Sequence, residues 1–281
     1  MQKVADLHVH THLSDGTFSP EKAVEYAKMA GLDAIAITDH DSCEAITPAI
    51  VRGEGLGVEV IPGVELTAEW GEDEIHILGY FIDWRDDGFK ERLASIAKVR
   101  QERAKKILAL LRERGIEINY DELLESGCLG SIGRLHIANL LYKKGAVSSL
   151  RDAFGKYIGN DGPCYVKKFK LSPREAIDMI KGVGGVSVLA HPKTINLEGT
   201  TLEDAVKTLV RDGIQGMEVY HSDHNAKDAR DFMALAEKNG LLAAGGSDCH
   251  GLGKGKVLMG KVKIPYELVE RLRKASRMGN E

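Results

Sequence analysis

Seven short apolar runs, separated by stretches with helical spacing, constrain this chain more than any other feature. They are Val4-Ala5-Asp6-Leu7, Ala34-Ile35-Ala36-Ile37, Val58-Glu59-Val60-Ile61, Ile75 to Ile82, Val186-Ser187-Val188-Leu189, Met217-Glu218-Val219-Tyr220 and Leu241-Leu242-Ala243-Ala244. Runs this short and this apolar suit strands buried on both faces. Between them, Ser19-Pro20 opens a helix that Gly31 ends, and further helices are predicted at 173–182, 202–211 and 226–239. This β-α alternation predicts an α/β protein with a parallel sheet. Polar, metal-capable residues follow at least five of the runs, and barrel enzymes place their sites at that rim, so a closed barrel is favoured over an open sheet.

The rhythm breaks between 89 and 170. Leu93, Ala97, Ala104, Ile107, Leu108 and Leu111 follow helical spacing, predicting a long helix over 89–114, with further helices at 121–125 and 132–142. We read 1–88 and 171–281 as the barrel and 89–170 as an inserted helical subdomain. Charge supports that division. The chain carries a net charge of −4, but 89–170 holds 17 Lys and Arg against 9 Asp and Glu, and the remainder is −12. The split suits a basic cap over an acidic site. It suits a short, multiply charged anionic ligand and argues against extended duplex nucleic acid. No apolar run approaches the roughly 18 residues of a membrane span, and Met1 to His10 has no apolar signal segment. The cysteines Cys43, Cys128, Cys164 and Cys249 form no CxxC pair, which suits reduced thiols in a cytoplasmic protein. Nothing in the sequence points to an oligomeric state.

Histidine carries the chemistry. In His8-Val9-His10-Thr11-His12-Leu13-Ser14-Asp15, an extended backbone turns His8 and His10 to one face, where two imidazoles can chelate one ion. Asp15 adds a hard oxygen nearby. Asp39-His40-Asp41, Glu65, His76, His191 and Asp248-Cys249-His250 supply further ligand types. Mixed imidazole and carboxylate, without paired thiols, suits Mn, Fe or Zn rather than a structural zinc finger. Asp6 shares the alternation and is placed to orient a ligand histidine. His12 lies where the chain leaves the strand and is assigned to the substrate side.

These residues resemble the PHP (polymerase and histidinol phosphatase) family of metal-dependent phosphoesterases. The matching stretches are DLHVHTHLSDG at 6–16, TDHD at 38–41, PGVE at 62–65, IHILGY at 75–80, LAHP at 189–192 and GSDCHG at 246–251. The resemblance implies a distorted (β/α)7 barrel with three divalent cations, manganese first. His8, His10, Glu65 and Asp248 would hold one, bridging Glu65 with His76 and His191 a second, and Asp15, His40 and His250 a third. Attack by metal-bound hydroxide on phosphorus is implied, with His191, Asp15 and His250 in the catalytic set. SIGRLHIA at 131–138 is similar to a subgroup that removes the 3′-phosphate from nucleoside 3′,5′-bisphosphates, some members also trimming short RNA from its 5′ end. That likeness implies that Arg134 and His136 hold a substrate phosphate.

His221 and His224 follow a strand on the same rim and are candidates to contact substrate or to protonate the leaving group, unless Ser222 or Asp223 there simply caps a helix. Lys167-Lys168-Phe169-Lys170 reads as a solvated basic face. Cys249 reads as a packed thiol, and Gly182, Gly184 and Gly185 as a turn. Two competing functions use the same residues differently. Another small-molecule phosphomonoesterase, such as a histidinol-phosphate phosphatase, leaves the basic insert without a task. A non-catalytic metal-binding module would have lost ligands, and none is missing.

Overall fold

The apolar runs form strands because both of their faces are covered. In the computed structural model, which describes residues 2–71, 73–125, 133–167, 171–196 and 199–277, β1 (Val4–Val9), β2 (Ala34–Ile37) and β5 (Val186–Leu189) have buried positions almost throughout. With β3 (Glu59–Trp70), β4 (Asp73–Tyr80), β6 (Gly216–His221), β7 (Leu242–Gly246) and the short β8 (Ile264–Pro265), they make one eight-stranded sheet of order β7-β6-β5-β4-β3-β2-β1-β8. The sheet curls almost shut. His10 N–H donates to the Cys249 carbonyl at 2.9 Å and Cys249 N–H to the His8 carbonyl at 3.2 Å, joining the end of β1 to the segment after β7. This is the distorted barrel that the family resemblance implied.

Glycine permits that closure. A Cβ on Gly246 would lie 2.3 Å from the His8 backbone nitrogen, so β7 can meet β1 at His8 only without a side chain there. Gly16 serves the neighbouring loop likewise, since its Cβ would lie 2.6 Å from the His10 carbonyl oxygen.

One expectation is corrected. The sheet is mixed, because β3 does not stop at Glu65. The buried alternation Val64, Leu66, Ala68 continues to Trp70, and Gly71, at φ +58°, turns the chain back as β4. β3–β4 and β4–β5 are antiparallel, with Thr67 opposite His76. Glu65 and His76 therefore project from inside strands and not from their ends.

The outer helices are α1 (Pro20–Met29), α2 (Ile46–Leu56), α3 (Asp87–Arg112), α4 (Tyr120–Glu125), α5 (Arg134–Lys143), α6 (Leu150–Ala153), α7 (Pro173–Gly182), α8 (Leu202–Asp212), α9 (Ala226–Lys238) and α10 (Tyr266–Ala275). Ser19 caps α1 through Lys22 N–H, as read from sequence. Asn225, not Ser222 or Asp223, caps α9. The apolar runs had not revealed α2, α10 or β8.

α3 belongs to two cores. Phe89, Leu93 and Ile96 pack with Ile75 and Leu171 of the barrel, whereas Ala104, Ile107, Leu108 and Leu111 pack with Ile137, Leu141 and Ile158 of the following helices. That break in packing places the second core some fifteen residues beyond the helix start. The start of the predicted 132–142 helix at Ile132, the Ser131-Ile132 pair of SIGRLHIA, Cys128 and Lys168 to Lys170 lie outside the described residues. Cys43, Cys164 and Cys249 are buried and free. No helix among the described residues is long and apolar enough to cross a membrane.

Candidate metal centre

Glu65 organises the site. Its carboxylate is 1% exposed and faces five imidazoles. Oε1 lies 2.9 Å from His76 Nδ1 and 3.1 Å from His191 Nε2. Oε2 lies 3.3 Å from His8 Nε2, 3.1 Å from His10 Nε2 and 3.2 Å from His40 Nδ1. A carboxylate gathers so many rings because β1, the end of β2, β4 and the end of β5 all converge on mid-β3.

The rings' outer nitrogens decide what the inner ones can do. His8 Nδ1 faces Glu218 Oε1 at 3.0 Å, His250 Nδ1 faces the Asp248 carbonyl at 3.0 Å, and His191 Nδ1 faces Thr194 Oγ1 at 2.8 Å. Thr194 gives its own proton to the His191 carbonyl. Each Nδ1 therefore carries the ring proton, a tautomer assigned from the acceptor it meets. The lone pairs on Nε2 then point at carboxylate oxygens: His8 and His191 at Glu65, and His250 at Asp15 Oδ1, 3.1 Å away. Lone pairs opposed at such distances need a proton or a metal cation between them. Buried His10 Nε2 and His40 Nδ1 also have no hydrogen-bond partner of acceptable geometry. The residues fit divalent cations on this ground.

Four overlapping sets offer ligand atoms within 4.8 Å of one another: His10, Asp15, His40 and His250; His8, His10 and Glu65; His40, Glu65 and His76; His8, Glu218 and His221. Asp248 joins through Oδ1, 3.3 Å from His10 Nε2. All nine ligand candidates named from the sequence are thus brought together. Backbone strain marks the place, since His191 and Asp248 have φ of +27° and +53°.

The other candidates fare differently. His12 is tied to the Phe18 carbonyl at 3.2 Å and lies outside the four sets. Asp39 is not a ligand candidate, because it accepts Thr11 N–H, Thr11 Oγ1–H and Ser14 Oγ–H, each at 2.6 Å, and so fixes the loop before Asp15. Asp41 forms a close ion pair with Arg100. Asp6 orients no ring; its Oδ1 accepts Ser247 N–H at 2.7 Å and His8 N–H at 3.3 Å, bracing backbone across the barrel seam. Burial holds its carboxyl up at about 6. Cys249 is packed, as read. His221 Nε2 lies 3.6 Å from Asp248 Oδ2, and its Nδ1 accepts Asp223 N–H at 3.2 Å. His224 turns Nδ1 to the Val219 carbonyl at 2.9 Å and packs edge-on against Phe232.

Glu218 escaped the sequence reading. Fully buried in β6, it holds the His8 ring with one oxygen and His191 N–H with the other, at 2.7 Å. A lone carboxylate inside an apolar strand was its signal, since such a charge is not buried unpaired. Glu218→Gln replaces one acceptor by a donor. It should lower metal affinity about 10- to 100-fold with the fold intact, as braces behind metal ligands typically do; titration with Mn²⁺ checks this, and unchanged affinity would remove Glu218 from the site.

A barrel that gathers nine such ligand candidates suits a metal-dependent hydrolase. The family described as PHP domain matches residues 6–161, and the chain belongs to it as a metal-dependent phosphoesterase. It is 33% identical to the 3′,5′-nucleoside bisphosphate phosphatase of Chromobacterium violaceum over 252 residues, 89% of this chain and 88% of that one. It is 35% identical to the 5′-3′ exoribonuclease Rnm of Escherichia coli over 249 residues, 88% and 85% of the two chains. A solved structure from Bifidobacterium adolescentis, assigned as a metal-dependent phosphoesterase, superposes with a TM-score of 0.85 at 30% identity, covering 96% of each chain.

Proposed function

We propose that the protein removes the 3′-phosphate from nucleoside 3′,5′-bisphosphates, yielding nucleoside 5′-monophosphates, and also trims short 5′-phosphorylated RNA. One observation carries the reading: a single cavity of about 310 Å³ is lined both by Asp15, His40 and His76 of the candidate centre and by Arg100, Arg103, Arg134 and His136. A metal centre sharing a cavity with a guanidinium cluster suits a ligand with a phosphate at each end. Burial, then the neighbouring Arg134 charge, pushes Arg103 down to about 10, while Arg100 is paired with Asp41. Arg103 Nη2 and Arg100 Nε are buried without hydrogen-bond partners. Arg100 and Arg103 join the two residues, Arg134 and His136, that the sequence singled out. His136 Nδ1 accepts Gly133 N–H at 3.1 Å, which caps α5 and sets the ring over the cavity.

We assign three cations, manganese first: one to His8, His10, Glu65 and Asp248, one to Glu65, His76 and His191, and one to Asp15, His40 and His250. When bound, they supply the Lewis acidity and positive charge that phosphoester hydrolysis needs. The chain's own residues orient and neutralise. Asp39 holds the Asp15 loop, Glu218 locks His8 and His191, and the arginines fix the non-reacting phosphate. On His221 the Asp223 N–H occupies Nδ1, so Nε2 carries the ring proton and serves as donor to a substrate oxygen. We read 89–170 as the unit that closes over the nucleotide, and the setting as cytoplasmic, which the free buried cysteines support. A compact phosphomonoester such as histidinol phosphate leaves the arginine wall unused.

A phosphate-release panel after Mn²⁺ reconstitution tests this, with a nucleoside 3′,5′-bisphosphate, a nucleoside monophosphate, histidinol phosphate and a short 5′-phosphorylated RNA. The bisphosphate should turn over fastest; inactivity on both it and RNA, with activity on histidinol phosphate, overturns the reading. Arg134→Ala should raise KM for the bisphosphate at least ~10-fold, about 1.4 kcal/mol, and leave kcat within a few-fold. Equal losses in kcat would place Arg134 at the reacting phosphate instead.

A further inference from the structure

A cavity of about 990 Å³ forms a groove between α9 and the 254–263 segment, and it shares no lining residue with the arginine-walled cavity. It comes within reach of the candidate metal centre at Asp248: His221 and Lys254 line it, and both approach Asp248 Oδ2, at 3.6 and 2.5 Å. The arginine cavity meets the same centre from the side of β2, β3 and β4, through His40, Thr67 and His76, whereas the groove leaves from the side of β6 and β7.

Its lining has two characters. Arg230, Lys256 and Lys261 bring positive charge, and none forms an ion pair among the described residues. Tyr220, Met233 and Val262 supply flat or apolar surface beside them. Asp223 and Glu237 are the acidic residues in the lining, against Arg230, Lys254, Lys256, Lys261 and Lys263. Cations beside aromatic and aliphatic surface suit a single strand, whose phosphates take the charges and whose bases take the apolar surface. A free inorganic anion would have no use for the apolar surface.

We propose that this groove carries the 3′-going chain of a single-stranded RNA whose first nucleotide occupies the arginine-walled cavity. The inference rests on the proposed function and explains how one centre serves both substrates. In a bisphosphate, the 5′-phosphate sits at the arginines and the 3′-phosphate at the metals. In RNA that 3′-phosphate is a diester, and the next nucleotide must leave on the other side of the centre, where the groove lies. The same bond breaks in both. Water adds its oxygen to phosphorus, the P–O3′ bond opens, O3′ takes a proton, and the shortened chain retains the phosphate as a new 5′-phosphate for the next round.

The test compares wild type with the combined Arg230→Glu, Lys256→Glu, Lys261→Glu variant in Mn²⁺. The substrates are a 5′-phosphorylated RNA pentamer and a nucleoside 3′,5′-bisphosphate, each at 50 and 200 mM salt. KM for the RNA should rise at least ~10-fold, and the slope of log KM against log salt should fall by about 2, near 0.7 for each phosphate no longer neutralised. Turnover of the bisphosphate should stay within twofold, which also shows that the variant is folded. If the triple variant misfolds, the Lys256→Gln, Lys261→Gln pair should show the same split with a smaller RNA effect. The proposal is overturned if RNA hydrolysis is unchanged or if both substrates lose equally. A wild-type enzyme that hydrolyses the bisphosphate but not RNA overturns the groove alone, and one that hydrolyses neither overturns the substrate reading with it. Binding to phosphatidylserine vesicles that the triple variant loses, with RNA turnover unaffected, would assign the groove to a membrane surface and also overturn the proposal.

Discussion

Glu65→Gln should cut phosphoester hydrolysis by about 10³-fold or more, a loss of about 4 kcal/mol in transition-state stabilisation, while leaving a folded barrel. The side chain keeps its volume, and its neighbours on β3 stay packed. What disappears is one full negative charge among five imidazoles that lie 2.9 to 3.3 Å from its two oxygens. Those rings can share cations only if an anion lies between them, and an amide offers a single acceptor and brings an N–H pair against the others. Metal content after Mn²⁺ loading, read by elemental analysis, should fall with activity, while the circular dichroism spectrum should not change. Activity within tenfold of wild type at full metal content would show that Glu65 is a structural carboxylate.

Removing the metals should make the protein's stability strongly pH-dependent. Without cations, burial works against protonating His10 and His76, but the surrounding carboxylates outweigh it and raise them from 6.5 to about 10 and about 9. His8 is shifted well upward in the same way: burial opposes its charge, and Glu218, Glu65 and Asp248 override it. The sign follows from linkage. Groups whose folded values are raised bind protons more tightly in the folded state, so their contribution is fully present below about pH 6.5. It is lost as the pH rises through 9 to 10. Chelated protein should therefore melt progressively lower between pH 7 and 10, and should be inactive throughout. Metals demand neutral imidazoles, so loading expels those protons and the apparent affinity rises with pH over the same window. Manganese-loaded protein should show a nearly flat melting profile there, and loading at pH 7.5 should acidify a weakly buffered solution. Parallel melting curves with and without metal would contradict this account.

How much of this was legible in advance depended on how local each signal is. The ligand histidines were readable because a strand's two-residue period puts His8 and His10 on one face whatever surrounds them, and because His191 and Asp248 directly follow apolar runs. The long helix was readable for the same reason, a three-to-four residue apolar period over several turns. Strand direction was not. Whether β4 runs with β3 or against it is decided by the turn at Gly71, and a single glycine there is compatible with either a tight reversal or a crossover. Arg100 and Arg103 were equally hidden: on α3 they look like any solvated cations, and only the packing of that helix against the barrel brings them into one cavity with His40 and His76.

Local composition, spacing and the family resemblance thus marked the nine ligand candidates, the barrel class and the sign of charge over 89–170, since each is carried by residue type, period or a short motif. The tertiary structure decided the rest. It set five rings around one carboxylate, recruited Glu218 as their brace, separated Asp39, Asp41 and Asp6 from the ligands they flank, and opened a second, basic groove beside the centre. Those outcomes depend on which distant segments meet, and that is fixed only when β7 closes against β1 at Gly246, where no side chain stands between them.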